Sequence, residues 1–133
     1  MNIYDRLKKK GICLEPHEVE NICVDFQICE LSIFGSALRD DFNESSDVDI
    51  LVSYHADSKG TLLDLVRLKD VFSQLLNRDV DIVEKEALRN PFRKKKILST
   101  SEVIYANQWT RFVLFIPELV KELSKIEEFK IKN

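Results

Sequence analysis

Residues 31–53 read LSIFGSALRDDFNESSDVDILVS: an apolar run, Gly35-Ser36, ten residues, then Asp47 and Asp49 separated by one valine. A Gly-Ser turn that opens a helix offers backbone N–H groups to a phosphate. Aspartates two apart on a strand project to the same side. Carboxylates gathered in one place repel one another and hold their protons more tightly unless a cation sits among them. Magnesium suits that role, because it takes a few carboxylate oxygens and completes its octahedron with water and substrate phosphate. The chemistry these residue types suggest is a metal-assisted reaction at a phosphate.

The elements that must position these groups are legible in the apolar periodicity. Pro16 suits the first turn of a helix that Val19, Ile22, Cys23 and Phe26 continue, over 16–26. Residues 29–34 read as a strand ended by Gly35, and Ser36 to Arg39 as the opening turn of a short helix before a polar loop. In 47–52, Val48, Ile50 and Val52 face one way while Asp47, Asp49 and Leu51 face the other. A leucine-rich helix is predicted over 60–76. A third alternating strand over 79–83 sets Val80 and Ile82 opposite Asp79, Asp81 and Val83. If the two aspartate-bearing strands are neighbours, Asp81 lies beside Asp47 and Asp49 and three carboxylates converge. Asn90-Pro91 then breaks the chain before a basic helical segment over 92–98 and a short closing strand over 102–105.

Composition bounds the partners. A chain of 133 residues suits one domain with one core. Its 44% apolar and 32% charged residues indicate a globular protein and exclude a disordered one. The net charge of −3 gives no general drive toward nucleic acid, which is therefore not expected as a direct partner. Cys13, Cys23 and Cys29 are odd in number and lack metal-ligand spacing, and with no secretory signal the expected compartment is a reducing cytoplasm. No apolar run approaches the ~18 residues of a membrane span.

Gly35-Ser36, the ten-residue spacing, Asp47-Val48-Asp49 and Asp81 within VDIV together resemble the nucleotidyltransferase superfamily of DNA polymerase beta type, and within it the minimal nucleotidyltransferases. The likeness covers roughly residues 32–105. It implies an α/β (α+β) fold: a small mixed β-sheet with helices packed on one face and the chemistry at the sheet's edge. It further implies that Asp47 and Asp49 hold two magnesium ions (Mg2+) and that Asp81 helps bind one and activates the acceptor hydroxyl. Gly35, Ser36 and the neighbouring amides would grip the triphosphate of ATP. Arg39, one turn after Gly35, either reaches the same phosphates or pairs with Asp40, Asp41 or Glu44. Ala37-Leu38-Arg39-Asp40 departs from the Arg-Ala-Arg-Gly often found at this place in the group.

The remaining polar residues read more plainly. Asp40 and Asp41 are expected to solvate a loop, and His17 and His55 to be surface or satisfied histidines. Tyr54 and Tyr105 are expected to pack at strand ends. Arg93, Lys94, Lys95 and Lys96 form a basic cluster that reads as a solvated helix face, with contact to an acidic partner or RNA as the alternative. The chain divides into a minimal nucleotidyltransferase domain over 1–108 and an amphipathic helical extension over 109–133. In the extension Phe112, Ile116, Leu119, Leu123 and Ile126 follow a heptad-like spacing, with Pro117 at the helix start. Such a stripe must be buried on its own domain, on a second copy in a homo-oligomer, or on another protein. LVKELSKIEEF is similar to the opening helix of HEPN proteins, the common partners of minimal nucleotidyltransferases. The resemblance thus implies an antitoxin that transfers AMP from ATP to a hydroxyl, a tyrosine of a partner HEPN ribonuclease toxin. A binding module that neutralises the toxin without catalysis, and a transferase acting on a small molecule such as an aminoglycoside, are the alternatives. The intact Asp47, Asp49 and Asp81 favour catalysis.

Overall fold

Four strands, β1 (Ile28–Phe34), β2 (Val48–Tyr54), β3 (Val80–Glu84) and β4 (Glu102–Ala106), form one mixed sheet in the order β3-β2-β1-β4. The computed structural model describes residues 1–55 and 60–107, so the helix expected over 109–133 lies outside the described residues. Strand β1 is antiparallel to both β2 and β4, whereas β2 and β3 run parallel. Among the described residues four helices accompany the strands: α1 (Ile3–Lys9), α2 (Pro16–Asp25), α3 (Leu62–Leu76) and α4 (Pro91–Thr100). A parallel pair cannot be joined by a hairpin, and α3 supplies the crossover from β2 to β3. Thr61 starts α3 with a capping box: its hydroxyl accepts from the Asp64 N–H at 3.1 Å, and the Asp64 carboxylate accepts from the Thr61 N–H at 3.0 Å.

The alternation read from the sequence sorts the sheet into two faces. Leu31, Ile33, Val48, Ile50, Val52 and Val80 point into the main core, where Leu7, Val19, Cys23, Leu68, Phe72 and Leu76 of α1, α2 and α3 cover them. Phe34, Leu51 and Val83 point the other way and are covered by Leu88 and by Ile97 of α4. The expected mixed sheet with helices on one face is thus formed by the first three helices, and α4 adds a smaller cover on the opposite face. That opposite face is the one that carries the aspartates.

Helix α1 is absent from the sequence reading, although its end signals are present. The Asn2 side chain accepts from the Asp5 N–H at 3.0 Å. At the other end the Ile12 N–H bonds the Leu7 carbonyl at 2.9 Å and the Gly11 N–H bonds the Lys8 carbonyl at 3.0 Å. This paired closure needs a left-handed residue, and Gly11 supplies it at φ 84°. Leu7 and Ile12, the apolar residues flanking the closure, are both buried. Among the described residues no helix is long and apolar enough to cross a membrane.

Candidate active site

Strand register brings the predicted carboxylates together. Asp49 on β2 and Asp81 on β3 are direct partners across the parallel pair. Asp47 immediately precedes β2, where the Val48 N–H bonds the Asp79 carbonyl at 3.1 Å and locks the start of the pair. The Asp49 carboxyl holds its proton more tightly than an ordinary aspartate. Burial is the main cause, and the charges of Asp81 and then Asp47 add to it, while Arg39 and Arg93 act in the opposite sense. Asp81, distant in sequence, therefore shares one electrostatic site with the Asp-Val-Asp pair.

Gly35 meets this cluster from β1. Phe34, at the end of β1, pairs with Asp49, and the chain turns sharply at the next residue. Gly35 has φ 75°, and a Cβ placed on it would lie 2.2 Å from the Asp49 Oδ2 atom. The left-handed backbone favours glycine here, and any side chain would also have to displace the Asp49 carboxylate. The expected opening of a helix is instead a single four-residue 3-10 turn, Gly35–Leu38, closed by the Arg39 N–H on the Ser36 carbonyl at 2.9 Å. The Ser36 hydroxyl donates to the Asp47 carbonyl at 3.2 Å, tying the turn to the start of β2.

Arg39 pairs with Asp41 at 3.2 Å, with both side chains mostly exposed at 61% and 70%. Such an exposed pair contributes little, roughly 0–1 kcal/mol, so the guanidinium is easily exchanged to a better anion. Tyr54 is buried at the end of β2, as its strand-end reading requires, and burial pushes its hydroxyl up to about 12. Tyr105 is half-buried against the main core.

Three basic residues outside the predicted set bear on the site. Arg93 belongs to the cluster read as a solvated face, yet it lies one helical turn before the buried Ile97 and its charge reaches Asp49. The i, i+4 spacing from Ile97 was the available signal. Arg78, in the turn after α3, donates to the carbonyls of Asn43 (3.3 Å) and Ser46 (3.1 Å) and stacks 4.6 Å over the Phe42 ring. It braces the loop that joins the two halves of the motif, and no local pattern announces that contact. Lys10 donates to the carbonyls of Ala37 and Arg39, and it could have been noticed only once α1 was recognised.

The residue types suit a hard divalent cation: Asp49 and Asp81 are partners across β2 and β3, Asp47 stands two residues before Asp49, and their mutual repulsion is what a cation would relieve. Among the described residues the side chains as placed form no group of three or more His, Cys, Asp or Glu that could hold a metal ion. Magnesium requires none, since it is usually held by one or two carboxylates together with substrate phosphate.

A strand-turn-strand aspartate site of this kind, on a small mixed sheet, defines a nucleotidyltransferase. The sequence pattern of the nucleotidyltransferase domain matches residues 17–104, and the chain belongs to that family. It is 38% identical over 90 residues to MJ1217 of Methanocaldococcus jannaschii, named as a candidate protein adenylyltransferase, spanning 68% of this chain and 81% of that one. It is 35% identical over 80 residues to the protein adenylyltransferase MntA of Thermococcus cleftensis, spanning 60% and 76%. The fold also matches a chain in the structure of a tri-AMPylated Shewanella oneidensis HEPN toxin in complex with MNT antitoxin, with a TM-score of 0.53 at 15% identity over 88% of this chain and 92% of that one.

Proposed function

We propose that this protein transfers AMP from ATP to a protein hydroxyl in a magnesium-dependent reaction, and that it acts as an antitoxin whose acceptor is a tyrosine of a HEPN-family ribonuclease. The observation that carries this reading is the pairing of Asp49 with Asp81, with Asp47 two residues earlier and Gly35 against the Asp49 carboxylate. The names of the two relatives support the nucleotide and the class of acceptor. The AMPylated toxin in the fold neighbour supports the partner.

In this reading Asp47, Asp49 and Asp81 hold the metal. Two bound magnesium ions would supply positive charge against the triphosphate and the oxygens that enter and leave phosphorus. Gly35 leaves room for the close approach, while Ser36 and the amides of its turn hold phosphate oxygens. Arg39 exchanges its exposed partner Asp41 for the phosphates, and Arg93 balances the charge of Asp49. Asp81 is exposed on the edge strand, where an acceptor can reach it. It takes the proton of the acceptor hydroxyl as the oxygen bonds to the α-phosphorus and pyrophosphate departs.

Mixing the protein with its co-encoded partner, ATP and magnesium tests the reading by intact mass. One or more AMP additions to the partner are expected. Asp81→Asn should slow the addition by at least roughly 100-fold while keeping part of the ATP binding. Asp47→Asn plus Asp49→Asn should abolish magnesium-dependent ATP binding. A partner that is blocked stoichiometrically with no change in mass would establish a non-catalytic binding module instead.

A further inference from the structure

Lys10 reaches from the end of α1 into the turn that follows Gly35. Its Nζ donates to the carbonyl oxygen of Ala37 at 3.0 Å and to that of Arg39 at 2.8 Å. Helix α1 precedes residue 17, where the family match begins, so this contact comes from outside the matched unit. The helix is a firm base for such a contact. Its C-terminus is closed at Gly11, and Leu7 and Ile12 anchor it in the core. The Tyr4 hydroxyl donates to the Ile104 carbonyl at 2.7 Å, and Arg6 forms a two-pronged pair with Glu102. Both partners lie on β4, so α1 is fixed to the sheet and Lys10 is held at its end.

The consequence for the turn follows from peptide geometry. In a planar trans peptide the carbonyl and the N–H point opposite ways. Holding the carbonyls of Ala37 and Arg39 on the Lys10 side therefore sends the N–H groups of Leu38 and Asp40 to the other side. Bonds from an ammonium are roughly twice as strong as neutral ones, which suits them to fix a short turn that has few internal bonds of its own. The same contact fixes the backbone of Arg39, whose charge acts on Asp49.

We propose that Lys10 is a positioning residue of the nucleotide site, setting the backbone of the 35–40 turn and the starting point of the Arg39 side chain through the carbonyls of Ala37 and Arg39. The inference rests on the nucleotidyltransferase reading above. Lys10 acts through the turn, not on the reacting atoms.

Lys10→Met keeps most of the stem and removes the donors; Lys10→Arg keeps a charged donor. Two quantities separate the outcomes: amide hydrogen exchange in the nucleotide-free protein and the KM for ATP in the transfer reaction. In Lys10→Met, exchange across 36–41 is expected to rise roughly ten-fold with β1 and β2 unchanged, and KM to rise roughly ten-fold with kcat within about two-fold. Lys10→Arg should restore most of both. An unchanged KM in Lys10→Met overturns the proposal whatever the exchange shows. Faster exchange spread through β1 and β2 overturns it as well, because Lys10 would then stabilise the fold at large. A wild-type protein that neither binds ATP nor transfers AMP would defeat the nucleotidyltransferase reading, while exchange at 36–41 would still report whether Lys10 holds the turn.

Discussion

At the scale of single residues, Asp49 is the point where stability and function oppose each other. It is half-buried, it feels the charges of Asp81 and Asp47, and its Oδ2 atom occupies the space a side chain on Gly35 would need. Its raised pKa fixes the sign of the stability effect. A carboxyl that is easier to protonate in the fold than in the unfolded chain adds stability below the unfolded carboxylate range and loses it as pH rises through the folded value. Asp49→Asn should therefore raise the Tm of the magnesium-free protein at neutral pH by about 2 °C, a small gain because much of the carboxylate remains in solvent. Thermal melts from neutral to acid pH check this, since the gain should vanish where the wild-type aspartate is itself protonated. A variant that melts lower than wild type at neutral pH would show that the three carboxylates are not in repulsion.

Among the elements, α4 has the most influence on the site relative to its size. Asn90 caps it, accepting from the N–H groups of Phe92 and Arg93 at 3.0 and 3.1 Å, and Pro91 suits its first turn. Only Ile97 of this helix is buried, against Phe34, Leu51 and Leu88. That small cluster covers the aspartate face and orients the turn from which Arg93 projects. Ile97→Ala should cost about 2 kcal/mol, near the low end for a core isoleucine because the cluster is small. Chemical denaturation measures that loss. The same variant should weaken ATP binding, since Arg93 loses its support; a stability loss with intact binding would separate α4 from the site.

Across the whole molecule, the cysteines report how cooperatively these elements hold together. Cys23 on α2 is fully buried under the main core, and burial pushes its thiol up to about 12, whereas Cys13 is exposed. The thiolate is the reactive form, so Cys23 should be inert in the folded protein at pH 8. Thiol labelling followed by peptide mass analysis is expected to modify Cys13 within minutes and Cys23 only at the rate of opening of the core. Labelling of Cys23 as fast as Cys13 would mean that α2 detaches from the sheet without global unfolding.

Much of the fold was legible because apolar alternation and helical spacing are local properties. Strand 47–52 reads directly from Val48, Ile50 and Val52, and the same pattern placed Asp47 and Asp49 on the opposite face. Glycine at 35 was likewise visible as a break, although the left-handed backbone and the neighbouring Asp49 carboxylate that favour it were not. Helix α1 was missed because seven residues, IYDRLKK, are too few for a clear periodic signal, and most of its burial is supplied by strands far along the chain. The contacts of Lys10 with Ala37 and Arg39, of Arg78 with Asn43 and Ser46, and the field of Arg93 at Asp49 span 27 to 44 residues of sequence. No local pattern encodes such contacts, because they exist only after the β2–β3 crossover and the docking of α1 have brought those segments together. The sequence by itself determined which residue types could do chemistry and which face of each strand they occupy. The tertiary structure decided that Asp81 stands beside Asp49, and which basic side chains brace the turn and loop around them, because register across a sheet is set by packing of the whole core.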